Sequence, residues 1–317
     1  MFDSPLSASA YEVLAVPPDA DDEALRRAYR LRLRQTHPDT GGDAALFVQV
    51  QRAWELIGTP DARAAYDRGH GFGAGSFGPG SRAGNADAAE PGAPQWRPRA
   101  ADTRPRARSF GHPGGWHRER YLTLMREWAG RGVTLEDPYD PALVRTAPRE
   151  LRQLLADALA EEATARVVAD LGMGYTVWHD VAADPRDPSA KLDHIVLGPS
   201  GLYAVLSEDF GGPVRTRRGE IIGDAVAGAP AASLVLRARA LARAARVKFS
   251  AAIVVLPDDD VAVAIDEVGR LKGLPVAVVA QSALTTLLRR GVTGARDIGG
   301  NELFDIRTRL QQTVRFV

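Results

Sequence analysis

The stretch 69–115, GHGFGAGSFGPGSRAGNADAAEPGAPQWRPRAADTRPRARSFGHPGG, is built largely from Gly, Ala, Pro and Arg and has neither helical nor strand periodicity. Such a composition cannot bury enough apolar surface to offset the entropy of ordering, so it reads as a flexible tether. Anything compact must therefore form on either side of it. The 317 residues suffice for two modest domains. The expected order is a domain over 1–69, a linker over 70–115, a connecting helix and loop over 116–147, and a second domain over 148–317.

Composition narrows the function classes. The 40 basic residues are balanced by 40 acidic ones, so net charge gives no general pull toward nucleic acid or a membrane surface. The chain has no cysteine, which excludes disulfides, thiolate zinc sites and cysteine nucleophiles. Only Lys191, Lys248 and Lys272 are lysine. With arginine so dominant, the run over 97–108 reads first as solvated linker and only second as a grip on a phosphate backbone. The start MFDSPLSASAYEVL lacks a basic region followed by a long apolar run. Nor does any segment supply the roughly 20 apolar residues of a membrane span. A cytoplasmic chain without membrane contact is expected.

The first domain reads as helical. In DEALRRAYRLRLRQT, Leu25, Ala28, Tyr29 and Leu33 share one helical face, with Asp21, Asp22 and Glu23 at the N-terminal end favoured by the dipole. In DAALFVQVQRAWELIG, Phe47, Val50, Ala53, Trp54 and Ile57 do the same, and Gly58 ends the run. The loop between them holds His37, Pro38 and Asp39; the proline stops the first helix and pushes His37 toward an extended conformation. Two such helices pack as an antiparallel hairpin. ASAYEVLAV and TPDARAAYDR supply short flanking helices.

Taken together, YEVLAV, LRRAYR, HPD, AWELI and DARAAYD resemble, in order and spacing, the J domain of Hsp40 co-chaperones, over roughly residues 8–69. The resemblance implies that His37, Pro38 and Asp39 form the loop that docks on Hsp70, with Arg26, Arg27 and Arg30 as the basic face beside it. An exposed aspartate can make a charge-assisted bond with a partner arginine, and arginines steer an acidic partner. Leu31 and Arg32 depart from the family pattern, which more usually has a basic residue and then a leucine; Arg32 falls near the apolar face. Hsp40 classes with a cysteine-rich zinc region are excluded.

From about Pro148 the pattern becomes α/β. PRELRQLLADALAEEATARVVADLG is helical, YTVWHDV alternates like a strand, and KLDHIVLGPSGLYAVLS reads as a hairpin through Pro199-Ser200-Gly201. A helix over APAASLVLRARALARAAR, strands SAAIVVLP and PVAVVA and a helix from QSALTTLLRRG follow. The order αβββαβ(α)βα implies a mixed sheet with helices on its faces. With DHIVLGPSGLYAVLS at its centre, this resembles the NERD (nuclease-related) domains and hence a restriction-endonuclease-like core of the PD-(D/E)xK type. In active relatives a helix acid, a strand Asp and a Glu-x-Lys on the next strand surround a divalent metal. By position, Glu161 (or Glu162) matches the helix acid and Asp193 the strand Asp. The Glu and Lys positions fall on Leu206 and Glu208. The resemblance thus implies a degenerate nuclease site of Glu161, Asp193 and Glu208, with no metal or cofactor. Asp209, Lys191 and Lys248 are the groups able to fill in from shifted positions. Asp193 otherwise reads as a strand-opening polar residue bonded to a nearby amide or to His194. His179 and His194, with Asp180 or Asp193, match no known ligand spacing, and hydrogen-bonded histidines are commoner. No P-loop, dinucleotide fingerprint or serine-nucleophile elbow is present.

The reading is a co-chaperone rather than an enzyme: the J domain recruits Hsp70 and triggers its ATPase, and the second domain selects a client protein or binds nucleic acid. The alternatives are a metal-dependent nuclease that recruits Hsp70, and a docking protein that binds Hsp70 without stimulating it.

Overall fold

The computed structural model describes residues 4–6, 9–37, 42, 44–70, 105–130, 132–184 and 187–317. In the N-terminal unit, Ser9 accepts from the Glu12 amide while the Glu12 carboxylate accepts from Ser9 N, a capping box that starts α1 (Ala10–Leu14). Asp21 caps α2 (Asp22–Thr36) by accepting from Ala24 N. α3 (Ala44–Ile57) and α4 (Pro60–His70) follow. Tyr11, Leu14, Leu25, Val50, Ala53, Ile57 and Tyr66 form the core, with Tyr29 and Leu33 half-buried against it. Tyr29 stacks on Trp54 with ring centroids 4.4 Å apart. Arg63 of α4 closes the bottom, donating to the Tyr11 hydroxyl at 2.9 Å and to the carbonyls of Pro18 and Ala20 at 2.9 and 2.6 Å.

The second unit begins earlier than its composition suggests. β1 (Arg108–Phe110) pairs in parallel with β2 (Thr176–Asp184), so the last residues of the expected linker belong to the sheet. The segment expected to connect the domains likewise packs on this unit. α5 (Gly115–Ala129) and α6 (Pro141–Thr146) lay Tyr121, Met125 and Val144 against Leu151 and Leu155 of α7 (Arg149–Ala169). Thereafter come β3 (Asp187–Gly198), β4 (Gly201–Ser207), a small hairpin of β5 (Arg215–Arg217) and β6 (Glu220–Ile222), α8 (Pro230–Ala245), β7 (Ala251–Leu256), β8 (Ile265–Leu271), β9 (Leu274–Ala280), α9 (Leu284–Arg290) and α10 (Gly300–Thr313).

The main sheet has seven strands in the order β1-β2-β3-β4-β7-β9-β8. β4–β7 and β7–β9 are parallel, while β2–β3, β3–β4 and β8–β9 are antiparallel. The central strands GLYAVLS and AAIVVL are buried along their whole length, which is why they read as unbroken apolar runs. α8 and α10 cover one face through residues such as Leu234, Ala238, Ile306 and Leu310. α7 and α9 cover the other through Val168, Leu284, Leu287 and Leu288. The helix placed in brackets between the last two strands is instead β8. Lys272 and Gly273 both have positive φ, +50° and +85°, and turn the chain tightly into β9. Side chains of Ile265–Leu271 are only partly covered, so the apolar signal for a strand is weak there.

Candidate functional site

Two places bring the singled-out residues together. At the end of α2, His37 takes φ −63° and ψ 128°, the extended conformation that a following proline imposes. Its ring meets Phe47 edge-on at 5.0 Å, and its carbonyl accepts from Gly42 N. Pro38 and Asp39 lie outside the described residues. Arg26, Arg27 and Arg30 are exposed on α2, Arg27 donating to Glu23 one turn earlier at 3.0 Å. Leu31 is 57% exposed, while Arg32 is half-buried in a small cavity with Glu12, Val13 and Thr36. The swapped pair therefore turns the leucine outward and the arginine stem inward.

The second place lies where α7 crosses β2 and β3. Lys191 is 1% exposed, and its ammonium donates to Glu161 Oε1 and Oε2 at 2.7 Å each, to Asp180 Oδ1 at 2.6 Å and to Asp193 Oδ1 at 2.9 Å. Lys191 and Asp193 are two apart on β3 and so share a face. Asp180 sits opposite them in the register of β2, with φ +50°, a left-handed conformation rare outside glycine. That residue breaks the alternation, because Trp178 and Val181 both reach the same core. The α5 entrance completes the cage: Gly114 N donates to Glu161 Oε2 and Trp116 N to Asp180 Oδ2, both at 3.1 Å. Ser207 N donates to Asp193 Oδ2 at 2.8 Å, and His117 Nδ1 lies 2.6 Å from Glu161 Oε1.

Every carboxylate oxygen of Glu161, Asp180 and Asp193 is thus already held by a protein group. The donor set does not fit a divalent metal, because the Lys191 ammonium fills the point at which the three carboxylates converge. Among the described residues no group of three His, Cys, Asp or Glu side chains is arranged to hold a metal ion.

Electrostatics explain how such a cage can be buried. Burial lowers the Lys191 pKa but Asp193, Glu161 and Asp180 outweigh it, so the ammonium stays charged well above its ordinary range. Burial raises Asp193, yet Lys191 holds it below the usual carboxylate value. Glu161 goes the other way: burial and the nearby Asp193 push it well up. Burial and Lys191 lower His117.

Of the expected site, Glu161 and Asp193 meet and Glu208 does not join their hydrogen bonds. Glu208 is half-buried at the end of β4, its pKa pushed well up by burial and by Asp157 and Asp193. Leu206 is core. Glu162 is bonded to Arg118 instead, and Lys248 is exposed. Asp193 takes the expected amide bond, from Ser207. Asp180, read from the sequence only beside the two histidines, and the two α5 amides join Glu161 and Asp193 without a signal that the sequence reading used.

His179 and His194 do not face a metal site with these aspartates. Their Nδ1 atoms lie 2.7 Å apart, His179 Nε2 is 2.7 Å from Ser109 Oγ, and His194 Nε2 is 3.1 Å from Ser207 Oγ. All four ring nitrogens are in use.

The helical hairpin with its His-Pro-Asp connection defines the N-terminal unit as a J domain, and residues 9–67 match the DnaJ domain family. Over 61 residues the chain is 46% identical to the chaperone protein DnaJ of Thermosynechococcus vestitus, covering 18% of this chain and 16% of that protein. It is 40% identical over 79 residues to the chaperone protein DnaJ of Cereibacter sphaeroides, covering 23% and 21%. It is 41% identical over 58 residues to the DnaJ protein homolog ANJ1 of Atriplex nummularia, covering 18% and 14%. The similarity thus spans no more than 21% of the length of these relatives. No helix among the described residues is long and apolar enough to cross a membrane.

Proposed function

We propose that the chain is an Hsp40-type co-chaperone that docks on a cytoplasmic, DnaK-type Hsp70 through His37, Pro38, Asp39 and the α2 arginines Arg26, Arg27 and Arg30, and stimulates its ATP hydrolysis. The observation that carries this is the DnaJ-domain match over residues 9–67, with His37 delivered by the end of α2 beside an exposed basic face. The second unit is a degenerate, NERD-like nuclease scaffold serving as a client- or nucleic-acid-binding module. The buried Lys191 favours this over a metal-dependent nuclease, since a metal would have to displace an ammonium bonded to three carboxylates.

The test is single-turnover ATP hydrolysis by a DnaK-type Hsp70 with the full chain, beside His37→Gln and Asp39→Asn. Stimulation by the wild type, lost in both variants, is expected. Equal stimulation by the variants, or none by the wild type, removes the reading. For the second unit, plasmid cleavage in Mg²⁺ or Mn²⁺ that disappears in Asp193→Ala would restore the nuclease alternative.

A further inference from the structure

The hydrogen bonds around His179 have a direction. The Ser207 hydroxyl donates to Thr164 Oγ1 at 2.9 Å, so Ser207 Oγ accepts from His194 Nε2–H. His194 is fully buried and its pKa lies well below the ordinary value, through burial and its neighbour His179, so it carries one proton only. Its Nδ1 is therefore bare and accepts from His179 Nδ1–H. His179 is likewise kept neutral, its pKa lowered to about 4 by burial against a smaller opposing pull from Asp180. What remains on its Nε2 is a lone pair, and that atom is 2.7 Å from Ser109 Oγ.

A hydroxyl on a bare imidazole nitrogen, with that imidazole oriented by a third group, is the arrangement that activates a nucleophile. Ser109 lies on β1 and is exposed, whereas His179 and His194 belong to the rigid centre of β2 and β3. Ser109 and His179 line a cavity of 520 Å³ together with Arg106, Glu162, Arg166 and Asp170, a volume suited to a small molecule. Glu162 is tied up by Arg118, which leaves the two exposed arginines as the stronger charge at the mouth. None of these groups takes part in the lysine cage.

We propose that Ser109 is a nucleophile, His179 its general base and His194 a positioning residue, and that this site hydrolyses carboxylic esters bearing an anionic group drawn in by Arg106 and Arg166. Ser109 Oγ bonds to the carbonyl carbon as its proton passes to His179 Nε2. The carbon–oxygen bond to the leaving group breaks, and the leaving oxygen takes that proton. Water then attacks the acyl-Ser109, giving one proton to His179, which returns it to Ser109 Oγ; the acid is released and no electrons are exchanged with a cofactor.

The test uses the full chain, a fluorophosphonate probe, and two chromogenic esters, mono-p-nitrophenyl succinate and p-nitrophenyl acetate. The probe should label the wild type, with peptide mapping placing the adduct on Ser109, and Ser109→Ala should neither label nor hydrolyse. Ser109 is exposed, so that variant should keep its melting temperature. His179→Gln should slow labelling at least ten-fold. His194→Gln should lower kcat for the succinate ester with KM unchanged. Arg166→Gln should raise KM for the succinate ester several-fold more than it raises KM for the acetate ester. The proposal is overturned if no adduct forms on Ser109, if Ser109→Ala hydrolyses as the wild type does, or if folded His179→Gln labels at the wild-type rate.

Discussion

Lys191→Met removes the charge at the centre of the cage and keeps the length of the side chain. Three carboxyls would then converge on a thioether. Removing one partner of a buried ion pair costs about 3–5 kcal/mol. The wild-type ammonium serves Glu161, Asp180 and Asp193 at once, so the loss belongs at the upper end of that range. A kilocalorie shifts the melting temperature of a unit this size by roughly 2–4 °C, so the variant should melt on the order of 10 °C lower. Native-state hydrogen exchange over 176–198 reads the same loss locally, as a smaller opening free energy for β2 and β3. The deficit must also depend on pH. In the wild type, Lys191 is raised, so its contribution is in full force below the ordinary lysine range and fades only as pH rises through the raised value. Asp193 is depressed, so its contribution holds above the ordinary carboxylate range and fades as pH falls through the depressed value. Without the cation, burial and mutual repulsion raise the carboxyls, and their protonation relieves the variant as pH falls. The gap should narrow between pH 7 and pH 5. A deficit under about 1 kcal/mol at pH 7, or one that stays constant down to pH 5, would refute the account of the cage.

Other expectations follow from single contacts. Arg63→Ala strips four hydrogen bonds from the base of the J domain and should cost about 1–3 kcal/mol in urea melts, whereas Arg27→Ala, losing one exposed pair, should cost less than about 0.5 kcal/mol. Gly198→Ala would place a methyl 2.1 Å from the Tyr175 ring, and should destabilise the second unit by about 1–3 kcal/mol, measurable as a lower melting temperature with the J domain unchanged. His179 has a folded pKa near 4, below its unfolded value, so stability present above about pH 6.5 is lost as pH falls toward 4. The loss is on the order of 3 kcal/mol, and calorimetry of His179→Gln should show a shallower acid slope across that window. An equally steep slope would mean that His179 is not the titrating group.

Helical periodicity made α2 and α3 legible: Leu25, Val50, Ala53 and Ile57 are buried where their spacing put them. The apolar runs of β4, β7 and β9 were as plain, because burial on both faces leaves no polar alternation to confuse them. Glu161 and Asp193 could be picked out by position, and with so few lysines Lys191 was one of two able to move in. What stayed hidden came from long-range contacts. Gly114 and Trp116 reach Glu161 and Asp180 across 47 and 64 residues, using backbone amides that have no residue type. β1 is three residues inside an arginine- and glycine-rich stretch, held by pairing with β2 rather than by its own propensity. β8 is bulged and half-covered, so its pattern resembled a loop or helix more than a strand.

The flank of β2 has a consequence for how this protein behaves in company. β1 takes its hydrogen bonds at residues 176–178, and the segment ending in Phe316 and Val317 takes over at 180–182, through Ala182 N to Arg315 O and Val317 N to Asp180 O. At the opposite margin, β8 presents Glu267 and Arg270 and a bulge between Asp266 and Gly269. A long flat strand with free amides invites another chain to zip onto it, and here one margin is patched in two short pieces while the other is charged and bent. Neither margin of the seven-stranded sheet therefore offers another chain a long, flat row of free amides to pair with.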